Sequence, residues 1–393
     1  MKKIAITTSV SISNYGTKLQ ALAMCEIFKD RGYKPTILEF SETDNFTIFN
    51  KAKKALGNII KPLIFGKGYL NLLKCKRVYG NVSAKFQSSI IKRYESIDSD
   101  DKMIPHFRYI GTKEGLEQYA KKFDIFVTGS DQVWHPILNK KNLWFFTLNF
   151  APKEGKRIAY APSLGVDELT EAQARNFSLL LKGMWAISLR ESSGVKCIQQ
   201  LTDKHVSLVL DPTLLIGRNL WDKVISEEKV PTDKNYCLCY LLGTNPQHRE
   251  ICEVLAKKMN IKLLNFAHFK AYNEADELLS GDKLYDVSPA EFIGLIKNAK
   301  FVLTDSFHCS VFSMMYHTPF MTLLRFQNND TLSTNTRIFS MLQQFGLDNR
   351  ILTDMRNLDT IINSTIDFHK VEVVLASKRR ESNLYLDKAL RNE

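Results

Sequence analysis

Four short stretches of this sequence gather residues able to do chemistry, and each follows directly on an apolar run. Residues 304–310 read TDSFHCS. Ser306 can cap a following helix, Phe307 and His308 fall in its first turn, and Asp305 sits beside them. The imidazole changes charge near neutral pH, so His308 with Asp305 forms a candidate acid/base pair, while the helix start favours an anion. Residues 188–191 end in Arg190 and Glu191. The Arg190 guanidinium presents a planar fork to a carboxylate or phosphate, although a pairing with Glu191 would serve structure alone. Residues 128–134 read TGSDQVW, and Ser130, Asp131, Gln132 and Trp134 together suit a saccharide: carboxylate and amide for hydroxyls, an indole for the C–H face. A core position is equally compatible with Trp134. Residues 11–16 read SISNYG, where backbone N–H groups could hold an anion and Asn14 a hydroxyl, with Tyr15 and Gly16 next to it; a capped turn would look the same.

These stretches need a scaffold that brings strand ends together. Residues 3–7 form an apolar strand, residues 19–27 repeat their apolar positions at helical spacing until Gly32, and 35–40 form the next strand. The same β-α-β text returns at 123–128, 157–161, 186–189 and 206–210, which implies a parallel sheet. A charged stretch at 226–235 reads as a linker. A second series follows, with strands at 236–242, 261–266, 301–304 and 320–324 and helices near 246–259, 290–298, 309–316 and 336–345. The expected architecture is α/β: two Rossmann-like domains facing across a cleft, spanning 1–215 and 216–370, with a closing helix at 371–393. Ligands of such sheets bind at the carboxyl ends of strands, where all four stretches fall.

Composition narrows the function classes. The chain has 393 residues, 44% hydrophobic, enough for a large core. No apolar run approaches the roughly 20 residues of a membrane span and no signal pattern opens the sequence, so a cytoplasmic location is expected. Seven cysteines include Cys237 and Cys239 but no C-x-x-C, which points to reduced thiols rather than disulfides or zinc. There is no G-x-G-x-x-G, P-loop or G-x-S-x-G, against dinucleotide, ATP-hydrolysing and esterase chemistry, and no metal site is expected. The net charge of +12 is concentrated: residues 45–94 carry eleven Lys and Arg and no acid. The remainder is almost neutral, so a nucleic-acid groove is not expected. Apolar residues such as Ile59, Leu63, Phe65 and Leu72 interleave these charges, which suits an anionic membrane surface on the inner face; a solvated basic flap is the plainer reading.

Taken together, 14–16 (NYG), 123–134 (FDIFVTGSDQVW), 157–165 (RIAYAPSLG), 188–194 (SLRESSG), 210–213 (LDPT) and 304–312 (TDSFHCSVF) resemble the polysaccharide pyruvyl transferase family over roughly residues 10–350. The resemblance implies a GT-B-like fold. It also implies transfer of pyruvate from phosphoenolpyruvate, as co-substrate without a further cofactor, onto two hydroxyls of one sugar in a surface or capsular glycan precursor. That acceptor would be lipid- or nucleotide-linked. By resemblance His308 matches the family's essential histidine and Arg190 a donor-binding arginine, while Asn335 and Arg337 match a motif near the cleft. The sequence departs from the family where Ser306 replaces an arginine and Cys309 a glycine; Arg337 or Arg325 is then the substitute donor contact, or the donor differs. A nucleotide-sugar glycosyltransferase and a non-catalytic subunit of a glycan-assembly complex are the competing readings.

Overall fold

Strands buried on both faces belong to parallel sheets covered by helices, and the chain builds two such sheets. The computed structural model describes residues 1–10, 14–42, 84–99, 103–269, 272–326 and 333–391. The first sheet comprises β1 (Lys3–Thr7), β2 (Lys34–Glu42), β3 (His106–Gly111), β4 (Ile125–Thr128), β5 (Lys156–Ala159), β6 (Ala186–Leu189) and β7 (Val206–Leu208). Its order is β3-β2-β1-β4-β5-β6-β7, all parallel. The second comprises β8 (Tyr236–Tyr240), β9 (Lys262–Asn265), β10 (Asp282–Lys283), β11 (Phe301–Thr304), β12 (Phe320–Leu323) and β13 (Ile351–Leu352). Its order is β10-β9-β8-β11-β12-β13, again all parallel. Both are Rossmann-like, with the order reversing between β1 and β4 and between β8 and β11, where ligand crevices form. This is the α/β, GT-B-like plan expected above.

β6 and β11 match their expected spans residue for residue, because their burial is continuous. β3 escapes a search for apolar runs: it lies at the sheet edge and most of HFRYIG faces water.

One hydrophobic core spans both halves, beside a further core in each. Ile4, Ile6 and Tyr15 from the first belong to the same buried cluster as Tyr240, Phe292 and Phe312 from the second. Helix Tyr15–Asp30 starts inside the second half: the Tyr15 ring stacks on Phe292 at 4.5 Å, and its hydroxyl donates to the Val287 carbonyl at 2.8 Å. Burying a ring of this size stabilises by about 2 to 3 kcal/mol. The last helix, Phe368–Leu390, returns to the first half. There Arg31 pairs with Asp387 at 3.1 Å and the Tyr385 hydroxyl donates to the Ala159 carbonyl at 2.7 Å.

Most of the basic segment, residues 43–83, lies outside the described residues. Its end is described in helix Ala84–Ile97, and there one expectation changes. Arg93 is buried, not displayed to a membrane or to water. It donates to the carbonyls of His268 (2.8 Å), Ala267 and Leu284 (3.0 Å), with its guanidinium 4.9 Å from the Tyr285 ring. Carbonyls beyond β9 and β10 take up this cation, tying the segment to the second domain. The six cysteines among the described residues are free thiols, five of them buried. No described helix is long and apolar enough to cross a membrane.

Candidate active site

The loops after β1, β4, β6 and β7 meet the loop after β11. Behind β4 the chain turns through Gly129 (φ 148°) and Asp131 (φ 67°). A Cβ on Gly129 would fall 1.6 Å from the Tyr160 carbonyl oxygen, so only glycine fits. This turn aims Ser130 at Asp211, its hydroxyl donating at 2.8 Å, and Asp131 at Thr17, whose hydroxyl donates to it at 2.9 Å.

Arg190 leaves β6 into the middle of this group. Its Nη1 donates to Asp211 Oδ2 at 2.6 Å and to Ser130 Oγ at 3.1 Å. Asp131 and Glu191 lie farther off at 3.8 and 3.9 Å, and the Phe307 ring lies beneath the guanidinium at 4.4 Å. Asp211, not Glu191, is therefore the primary partner. Glu191 accepts instead from the backbone N–H groups of Leu164 and Gly165, fixing the loop after β5.

His308 faces the same carboxylate, with Nε2 3.8 Å from Asp211 Oδ2. Its other side rests on the start of helix Tyr15–Asp30: a Cβ on Gly16 would lie 2.2 Å from His308 Nδ1. Gly16 thus seats the imidazole. Burial pushes His308 down to about 4, with Asp211 opposing and Arg190 reinforcing, so the free protein holds a neutral imidazole at pH 7. Burial pushes Asp211 up, but Arg190, His308 and the Thr213 hydrogen bonds outweigh it and bring the carboxyl down to about 2. Asp131 is likewise raised by burial and lowered further by Arg190, His308 and Arg337, ending below the ordinary range.

Arg337 belongs to this cluster and Arg325 stands at its margin. Arg337 is buried, donates to Thr334 (Nη2 to Oγ1, 2.9 Å), and is depressed by burial and by the nearby Arg190 to about 9, still a cation at neutral pH. Arg325 is held by Asp305, donating to its carbonyl at 3.0 Å. Gln132 is half-buried beside the Asp131 turn.

Several expected site residues have structural work instead. Asp305 is fully buried and accepts from the backbone N–H groups of Leu242 and Gly243, both at 2.7 Å, so it orders the loop after β8 and is no acid/base partner of His308. Trp134 is fully buried; its Nε1 donates to the Phe146 carbonyl at 3.0 Å and its ring packs on Phe177, leaving no face for a sugar. Tyr15 is the interdomain plug described above. Asn335 clasps the Phe326 backbone, donating to its carbonyl at 2.8 Å, rather than an acceptor. Asn14 and Ser306 cap helices Tyr15–Asp30 and Phe307–Met315, accepting from Thr17 N and Cys309 N. Asp211 is the residue the motif search left without a role. Its place one step beyond the expected strand 206–210, the rule that selected Arg190, was the available signal.

Among the described residues, no cluster of His, Cys, Asp and Glu could hold a metal ion.

Fold and cluster define a two-domain α/β protein with a buried, cation-rich centre where two parallel sheets meet. Residues 14–325 match the model of the polysaccharide pyruvyl transferase family, and the chain belongs to that family. No curated protein matches it in sequence. Among solved structures it is similar to the UDP-GlcNAc 2-epimerase of Neisseria meningitidis bound to UDP-GlcNAc, at 11% identity, all of both chains and a TM-score of 0.45. It is also similar to the UDP-GlcNAc 2-epimerase of Methanocaldococcus jannaschii, at 11% identity, 96% of this chain, 94% of that chain and 0.47. An alpha-glucosyltransferase in complex with UDP gives 8% identity, 98% and 95% coverage and 0.47. Likenesses this remote do not bear on substrate.

Proposed function

We propose that the chain transfers the pyruvyl group of phosphoenolpyruvate onto two hydroxyls of one sugar in a surface or capsular glycan precursor, as a ketal. One observation carries this reading: Arg190 Nε and Nη2 and His308 Nε2 are buried without a hydrogen-bond partner. Buried N–H groups are rarely left so, and the Nε/Nη2 edge of an arginine fits a carboxylate or phosphate side-on. Arg337 supplies a second positive charge, in place of the arginine that Ser306 replaces.

The reaction balances around His308. A bound donor anion favours imidazolium, next to Asp211. His308 gives its proton to the donor's methylene carbon, which becomes the methyl group, and the cationic centre left at C2 is attacked by the first hydroxyl. The neutral imidazole takes that hydroxyl's proton. Phosphate then leaves, the second hydroxyl attacks C2, and its proton departs with the phosphate. No further cofactor enters the balance. Incubation with phosphoenolpyruvate and galactose- or mannose-type acceptors should release phosphate and give a product one pyruvyl ketal heavier. Tight UDP-sugar binding with no phosphoenolpyruvate turnover across the panel would overturn the proposal in favour of a glycosyltransferase.

A lipid-linked acceptor would place the work at the inner membrane face. Apart from Arg93, ten cations of residues 45–94 remain for that task. Each contributes about 1 kcal/mol near an anionic surface, and salt weakens it. Vesicles with anionic lipid should therefore sediment the protein at low salt, and neutral vesicles should not. Charge reversal at Lys61, Lys67, Lys74 and Lys76 should abolish this; equal binding to both vesicle types, or to neither, refutes it.

A further inference from the structure

The second domain carries a cavity of about 620 Å³ outside the His308 cluster, large enough for more than one sugar ring. It opens at the carboxyl ends of β12 and β13, between helix Pro246–Met259 and helix Thr336–Gln344. Ile251, Leu323, Leu352 and the half-buried Phe339 form its apolar wall. Gln247, Glu250 and Asp354 are the polar groups at its edge. Gln247 and Glu250 make no side-chain hydrogen bond among the described residues, whereas Asp354 accepts from Arg356 Nε at 2.8 Å. His248 also lines the cavity; it is 7% exposed and its Nδ1 has no partner.

We propose that this cavity holds the neutral, polyhydroxyl part of the acceptor glycan, the sugar units adjoining the one that receives the ketal. The inference rests on the pyruvyl transfer reading. Charge sorts the two substrates. Arg190, Arg337 and His308 gather cationic groups where the donor's carboxylate and phosphate would sit. No Lys or Arg lines the cavity among the described residues, and of its two carboxylates Asp354 is paired with Arg356 while Glu250 adds a negative charge, so an anion is disfavoured there while hydroxyls are bound. A carboxylate and an amide free to accept and donate, an aromatic edge and aliphatic walls match a sugar's hydroxyls and C–H faces. Burial keeps His248 below its ordinary pKa, leaving a neutral ring for a hydroxyl. The cavity and the His308 cluster share two elements: Leu324, which lines the cavity, precedes Arg325, and Phe339 and Arg337 lie on the same helix. Trp134, the sugar platform expected on the first domain, is core and offers no face to the rest of the glycan.

The test is saturation-transfer NMR on the whole protein with methyl β-galactoside, methyl α-mannoside, galactotriose and mannotriose, with phosphoenolpyruvate turnover measured separately. Val254 lines the cavity and is 38% exposed, so Val254→Trp can fill it from the edge; Thr353→Arg, also exposed, blocks it from the β13 end. Each variant should weaken trisaccharide binding at least ten-fold and leave the monosaccharides and phosphoenolpyruvate binding as in the wild type, with an unchanged melting midpoint. Trisaccharides bound equally by wild type and both variants, or bound by none of them, overturn the inference. Trisaccharide binding lost in the variants of a protein that never turns over phosphoenolpyruvate would sink the donor reading and leave the cavity assignment standing.

Discussion

Replacing His308 with glutamine should lower pyruvyl transfer by about 10²- to 10⁴-fold, the usual contribution of a positioned general acid/base. The fold should survive, because glutamine fills much of the imidazole's space between Gly16 and the Phe307 ring, whose centroid is 5.1 Å away. The same variant should change the pH dependence of stability. The folded His308 has its pKa lowered from 6.5 to about 4, so between these values the unfolded chain binds a proton that the folded one does not. Stability therefore falls as pH drops from about 6.5 towards 4, by about 3 kcal/mol for this one group. Asp211, lowered from 3.8 to about 2, loses its contribution only below that window. Urea midpoints at pH 7 and 4.5 should thus differ more in the wild type than in His308→Gln. Equal pH slopes, or turnover retained by the variant, would remove His308 from its assigned place.

Asp211→Ala should produce the largest loss of stability of any single change at the centre. The Arg190 and Asp211 side chains are each 1% exposed, and removing the carboxylate leaves a buried guanidinium whose next acids stand at 3.8 and 3.9 Å. Breaking such a pair costs about 3 to 5 kcal/mol, because the surviving charge keeps its desolvation penalty. Replacing both members, Arg190→Met with Asp211→Leu, should recover part of that stability while transfer stays lost, since the anion-binding edge has gone. Urea unfolding of the three proteins decides the matter: a loss under 1 kcal/mol in Asp211→Ala would mean that Asp131 and Glu191 hold Arg190 without it.

The sequence by itself determined the two-sheet plan and the loops that meet. Strands covered on both faces need near-continuous apolar runs, so 186–189 and 301–304 declared themselves, and position after a strand end selected Arg190, Asp131 and His308. Each of those signals is local. What each side chain faces was decided by the tertiary structure, because its partners lie far along the chain: Ser130 is 60 residues from Arg190, and Gly16 reaches His308 from the other domain. Asp305 and Trp134 show the other side of this. Residue type and neighbourhood made both look functional, yet unpaired N–H groups at the end of β8 needed a carboxylate and the core within the first half needed an indole. Burial and hydrogen-bond satisfaction are settled only when distant segments close on one another, and at the junction of these two sheets they left Arg190 Nε and Nη2 and His308 Nε2 without a hydrogen bond.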